Sequence, residues 1–204
     1  AQNIGADWNK ITEALKLDKR IGKHCYLKPG LGISGGNLER DLTTLSKFIS
    51  RSFVYSNYIK NIKNISDYRK NWILRKFNEI IPQIKNLKKI GVLGLAYKEG
   101  TNSIKNSPSI NFINNIKNKA IKINVFDPKI KNFHSKKRVK NQNNLKDLLK
   151  DSQMLIIGTP WKIFKSIDFS NYSNIKKIID PFNILKKSSI SRNKIVTMYK
   201  QNEK

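Results

Sequence analysis

Five short apolar runs in the second half of the chain constrain the fold more than any other feature. They are KIGVLG (89–94), IKINVFDP (121–128), QMLIIGTP (153–160), IKKIIDP (175–181) and KIVTMY (194–199). Each is too short for a buried helix and rich in Ile, Val and Leu, the pattern of strands covered on both faces. Helical patterns lie between them: SPSINFINNIKNK (107–119), NNLKDLLKD (143–151) and WKIFKSI (161–167). Strand and helix alternating at these lengths predict a parallel sheet with helices on both sides. Ligands then bind at the carboxyl ends of the strands. Ser107 is placed to cap the helix that Pro108 opens. The basic stretch KIKNFHSKKRVKNQNN (129–144) reads as a solvated loop.

The first part of the chain follows another period. Residues 1–16 predict a helix with Ile4, Trp8, Ile11 and Leu15 on one face. Residues 17–37 read as an ordered loop. Residues 39–51 predict a second helix with Leu42, Leu45, Phe48 and Ile49 turned inward. SDYRKNWILRKFNEIIPQIKN (66–86) predicts a long helix capped by Ser66 or Asp67, striped by Ile73, Phe77, Ile80, Ile81 and Ile84, and ended or bent by Pro82. The expected class is α/β. A helical central region, 1–85, precedes a Rossmann-like parallel-sheet region, 86–204.

The loop PGLGISGG carries four glycines between residues 30 and 36. Ordering so many glycines costs conformational entropy, so something is expected to approach the backbone where side chains are missing. The strand at 89–94 runs into LAYKEGTNSIKNSPS, whose Lys98 and Lys105 lie before a helix N-terminus suited to a phosphate. This turn lacks the G-x-G-x-x-G dinucleotide fingerprint.

The chain has 204 residues, a formal charge of +27 and one cysteine. The charge favours phosphate-bearing ligands, anionic surfaces or nucleic acid. The lysines are spread through every segment and no Arg-rich helix stands out, so a generally basic surface is expected and nucleic acid is not. A single cysteine permits no internal disulfide and fits a cytoplasmic location. No apolar run approaches the roughly 18 residues needed to span a bilayer. The chain begins with Ala inside a helical pattern, and is expected to be part of a longer one. His24 and His134 have no partner at metal spacing, Cys25 is read as a small, partly buried residue in preference to a displaced nucleophile, and Trp8, Trp72 and Trp161 are expected to pack in the core.

KKIGVLGLAYKEGTNSIKNSP resembles the start of the C-terminal, UDP-binding domain of the UDP-glucose/GDP-mannose dehydrogenase family. VFDP, LIIGTPW and IIDPFNIL resemble its later strands in order. IGAD…RIGKHCYLKPGLGISGGNLERD resembles the family's substrate loop, written VGAD…RIG…FL.PG.G[FY]GGSCFPKD. The likeness covers nearly the whole chain and leaves out the family's N-terminal NAD-binding domain. It implies a dimeric nucleotide-sugar oxidoreductase that uses NAD, held mainly by that missing domain, and serves surface-polysaccharide precursor synthesis. The helices at 39–51 and 66–84 are then expected at the subunit interface.

By the same resemblance, the glycine loop wraps the sugar of a UDP-sugar. Tyr26, Leu27 and Lys28 correspond to the segment that holds the sugar by its main chain, with Gly30, Gly32, Ile33 and Gly35 in the loop itself. Arg20 corresponds to an arginine that reaches a neighbouring subunit's nucleotide. Tyr97 and Lys98 correspond to the aromatic–lysine pair on UDP, and Lys105 to an arginine near NAD. With Asp41 on the family's aspartate, the catalytic cysteine falls on Asn37. The family's thiolate captures an intermediate aldehyde on the way to a carboxylate, and an amide cannot do so. Asn37 retains hydrogen-bonding capacity, and Asp41 can order a water or act as a base. Two readings stay open: a dehydrogenase portion whose two-step oxidation is in question, and a non-catalytic binding or dimerisation module from a split or degenerate gene.

Overall fold

The apolar runs become strands of one sheet. The structure, a computed structural model, describes residues 4–49, 53–135, 139–185 and 191–198. Its strands are β1 (Lys89–Leu93), β2 (Lys122–Phe126), β3 (Val139–Asn141), β4 (Met154–Ile157), β5 (Lys177–Asp180) and β6 (Ile195–Thr197). All pair in parallel, in the order β3-β2-β1-β4-β5-β6. Ile90 of β1 lies opposite Ile123 of β2 and Met154 of β4.

Alternation along each strand feeds two cores. Ile90, Val92, Ile123, Met154, Ile156 and Ile179 pack on one face, and Leu93, Leu155, Ile157 and Ile178 on the other. The first face is covered by α4 (Trp72–Ile80) and α5 (Pro108–Asn115), the second by α6 (Leu145–Lys150) and α7 (Lys162–Lys165). Phe77 of α4 meets Phe112 of α5 edge to face, with centroids 5.3 Å apart. Burying each such side chain stabilises by about 1.5–3 kcal/mol.

The helical part departs from expectation in three places. α1 (Trp8–Leu15) is capped by Asp7, whose Oδ1 accepts from Asn9 N at 2.9 Å. α2 (Asn37–Phe48) starts two residues early, and its apolar side is not buried: Leu45 is 44% exposed and Phe48 80%. An additional helix, α3 (Phe53–Lys70), takes in residues 53–65, for which no element was expected, and the start of the helix expected from 66. Ser66 and Asp67 therefore lie inside α3 and cap nothing. The single helix expected over 66–86 is two, parted at Asn71, whose amide donates to Asp67 O at 3.0 Å. Ile73, Phe77, Ile80 and Ile84 are buried as the stripe requires, and a 3₁₀ turn at Ile81–Gln83 containing Pro82 ends it.

Two further corrections concern the sheet region. The stretch 129–144 is not wholly a solvated loop, since it supplies edge strand β3 and the buried Phe133. α5 stops at Asn115, and Ser107 occupies its N-cap position without a side-chain hydrogen bond. The expected positions 1–3, 50, 51, 136–138 and 199 fall outside the described residues. Among the described residues no helix is long and apolar enough to cross a membrane.

Candidate functional site

The strand order reverses between β1 and β4, where a sheet of this type opens its crevice. Here the residues just past the strand ends pack closely on one another. Gly94 follows β1 with φ +92°, and a Cβ there would lie 2.5 Å from Thr159 Cβ. A Cβ on Gly158 would lie 1.9 Å from Ser109 Oγ, which donates to Gly94 O at 2.8 Å. Thr159 Oγ1 donates to Ala96 O at 2.5 Å.

Asp127, buried at the end of β2, fixes the loop above this floor. Its Oδ2 accepts from Leu95 N (2.7 Å), Ala96 N (3.0 Å) and Trp161 Nε1 (3.1 Å). Its Oδ1 accepts from Lys129 N (2.8 Å) and Ile130 N (3.2 Å). A buried carboxylate is tolerable only when its lone pairs are filled in this way. The next residues are Tyr97 and Lys98. Tyr97 N donates to Ser103 O at 3.0 Å, and the exposed Lys98 Nζ stands 5.6 Å from the Tyr97 ring centre.

The glycine loop is seated on this loop and on α3. Gly35 N donates to Lys105 O at 3.0 Å, and Gly35 O accepts from Asn106 Nδ2 at 2.8 Å. A Cβ on Gly35 would meet the Tyr97 ring at 2.9 Å, and one on Gly36 would meet the Lys105 side chain at 2.8 Å. On the other side, Ile33 N donates to Ser66 Oγ at 2.8 Å, and a Cβ on Gly32 would lie 2.3 Å from Ser66 O. The close approach expected at Gly32, Gly35 and Gly36 is thus made first by the protein's own atoms. Gly30 is exposed with open space around it. A cleft of about 30 Å³ lies beside the loop, among Ile33, Leu42, Lys63, Ser66 and Lys70.

The fold therefore gathers Gly35, Gly36, Tyr97, Lys98 and Lys105. Asn37 opens α2 directly after Gly36 and is exposed, so its side chain is open to solvent at the helix's positive end. Asp41 lies one turn on, exposed, with Oδ1 3.3 Å from Arg40 Nη2. Leu27 O accepts from Trp8 Nε1 at 2.8 Å, which ties the segment before the loop to α1. Tyr26 is 82% exposed, and Lys28 is exposed as well. Arg20 is turned to solvent and paired with Asp18, Nη2 to Oδ2 at 2.6 Å. The pair lowers the Asp18 pKa and raises that of Arg20. Three residues that matter here escaped sequence reasoning. Asn106 and Glu39 sit among residues that look like bulk composition, and Ser66 resembled a helix cap. Among the described residues no cluster of His, Cys, Asp or Glu could hold a metal ion.

Comparison with known proteins bears on this site. Two family models match the chain: "UDP-glucose/GDP-mannose dehydrogenase family, central domain" over residues 1–68, and "UDP-glucose/GDP-mannose dehydrogenase family, UDP binding domain" over residues 91–187. The chain is 31% identical over 197 residues to UDP-glucose 6-dehydrogenase of Rickettsia bellii, covering 93% of this chain and 45% of that protein. Two solved structures share the fold. UDP-D-ManNAc dehydrogenase from Pyrococcus horikoshii superposes with a TM-score of 0.74 at 23% identity, over 96% of this chain and 45% of that one. NDP-N-acetyl-D-galactosaminuronic acid dehydrogenase from Methanosarcina mazei gives 0.77 at 14% identity, over 97% and 44%. The chain spans less than half the length of these relatives.

Proposed function

The chain belongs to the UDP-glucose/GDP-mannose dehydrogenase family, and from that premise we propose that it is the nucleotide-sugar-binding part of an NAD-dependent UDP-sugar oxidoreductase. The observation that carries this reading is the seating of Gly35 and Gly36 on Tyr97 and Lys105, which brings a sugar loop and a nucleotide loop into one place. Tyr97 and Lys98 take the UDP. Gly30, Gly32, Ile33 and Gly35 take the sugar, with the main chain of Tyr26, Leu27 and Lys28. Arg20 reaches the nucleotide of a second subunit in a homodimer. The dimer reading draws support from the exposed Leu45, Phe48, Tyr58 and Ile65 on α2 and α3, which no core among the described residues covers. The setting is cytoplasmic, in the making of polysaccharide precursors.

NAD finds no G-x-G-x-x-G fingerprint at the β1 turn of this chain. We assign it mainly to residues outside this chain, with Lys105 as the contribution from within. The 204-residue chain alone is expected not to turn over.

Asn37 sets the chemical limit. Its amide donates and accepts hydrogen bonds but forms no thiohemiacetal, so the reading ends at a single oxidation of the sugar alcohol, with Asp41 ordering a water or taking a proton. The same residue favours a second reading, a non-catalytic nucleotide-sugar-binding module. One measurement tests the binding that the two readings share, and a second separates them. UDP at millimolar concentration raises the Tm of the chain by linkage, and Lys98→Ala weakens the rise; an unchanged Tm defeats both readings. Mass spectrometry of nucleotide-sugars incubated with NAD and a protein that includes an NAD-binding part then decides. An aldehyde product supports the enzyme, no product supports the module, and efficient carboxylate formation with Asn37 in place removes the limit set here.

A further inference from the structure

We propose that Asn106 is the positioning residue that fixes the sugar loop against the nucleotide loop, and so sets how strongly the sugar adds to nucleotide affinity. The proposal rests on the nucleotide-sugar reading above. Asn106 has a left-handed backbone, φ +52°, just before the start of α5. Its amide nitrogen donates to Gly35 O at 2.8 Å and to Glu39 Oε2. One side chain therefore joins three pieces: the glycine loop, the first turn of α2 and the loop after β1. Lys105 O holds the N–H of the same glycine at 3.0 Å, so both polar groups of Gly35 are fixed by consecutive residues. The Tyr97 ring lies against the face of Gly35 where a Cβ would be.

The residue type follows from chemistry. Glycine, asparagine and aspartate are the residues that enter the left-handed region most readily. Glycine offers no donor, and an ionised aspartate only accepts. Asparagine alone of the three combines this backbone with two N–H donors, and here they serve a carbonyl and a carboxylate. Glu39 lies in the first turn of α2, two residues from Asn37, so the link also sets where Asn37 and Asp41 stand relative to Lys98.

The test compares UDP with a UDP-sugar by titration calorimetry on the full chain, taking whichever of UDP-glucose and UDP-N-acetylmannosamine binds tighter. Asn106→Gly keeps the backbone and removes only the amide. It is expected to weaken the UDP-sugar at least tenfold and UDP less than threefold. Asn106→Asp sets two carboxylates together and is expected to do at least as much. Adding Glu39→Gln to Asn106→Asp restores a donor–acceptor pair between α2 and the loop and recovers part of the sugar's advantage. A purely structural role would lower Tm without changing the ratio of the two affinities. A ratio in Asn106→Gly within twofold of the wild type overturns the proposal while leaving the nucleotide-sugar reading intact. Wild-type protein that prefers neither UDP-sugar over UDP also overturns it. Failure of the wild type to bind UDP at all defeats the reading, and the proposal with it.

Discussion

The helices before residue 71 and the sheet after it handle apolar surface in opposite ways. α1 and α2 contain no fully buried residue, whereas every residue of β4 is buried. The sheet closes its own cores, and α4 joins it by burying Trp72, Ile73, Phe77 and Ile80 there. α2 and α3 leave Phe48, Val54, Tyr55, Tyr58, Ile65 and Tyr68 more than half exposed. An exposed set of this size on two adjoining helices is the surface that the proposed dimer would bury. The sheet is therefore expected to set the stability of the single chain, and the helices its association.

The largest effects test that division directly. Phe77→Ala removes a ring that is 1% exposed and packed on Phe112, and should cost about 3–5 kcal/mol in urea unfolding. Phe48→Ser, at a side chain 80% exposed, should shift stability by no more than about 0.5 kcal/mol. The same substitution should reduce self-association in sedimentation velocity. Equal stability losses at the two positions would erase the contrast.

The join between the regions gives the next effect. Gly32 has φ +81° and no room for a Cβ beside the α3 backbone, so Gly32→Ala should destabilise by about 1–3 kcal/mol and weaken UDP-sugar binding. Gly30 has an ordinary φ and open space, so Gly30→Ala should be neutral or stabilise by about 0.4–1 kcal/mol. Thermal melts of the pair distinguish a loop shaped by the protein's own packing from one shaped by the ligand alone.

A smaller effect follows pH. Asp180, at the end of β5, accepts from Phe182 N, Ile184 N and Leu185 N, and burial pushes its pKa above 3.8 in spite of them. The folded state then holds this proton at higher pH than the unfolded chain. Its contribution to stability is greatest below 3.8 and declines as pH rises through the folded value. Relative to Asp180→Asn, the wild type should gain Tm as pH is lowered from about 7 toward 4. Asp151 runs the other way. Its hydrogen bond to Lys89 lowers its pKa, so its contribution is present above 3.8 and is lost as pH falls through the folded value. The smallest effect belongs to the helical part. Asp18→Asn releases Arg20 at a solvent-exposed pair and should leave the Tm nearly unchanged in thermal melts.

What the sequence made legible follows the same division. β1, β2, β4 and β5 could be read because strands covered on both faces must be apolar throughout, and their order of appearance implied a parallel sheet. β3 could not, because Val-Lys-Asn is a three-residue edge strand with only one half-buried apolar side chain. α3 was missed because its apolar residues point to solvent as well as inward, so no single stripe announces the helix. The glycines of the loop were recognised as positions of close approach. What approaches them was not, since Ser66, Tyr97 and Lys105 are distant in sequence and meet only through the fold. Asn106 was invisible for another reason: one asparagine in an Asn- and Lys-rich chain carries no signal until its φ and its two acceptors are known.

The indole of Trp161 shares an oxygen of Asp127 with the amides of Leu95 and Ala96, just ahead of Tyr97 and Lys98. Any shift of that loop must alter the polarity felt by this chromophore. The molecule thus carries an intrinsic optical sensor beneath the loop proposed to take the nucleotide, and replacing Trp8 and Trp72 with phenylalanine would leave its emission as a label-free record of occupancy.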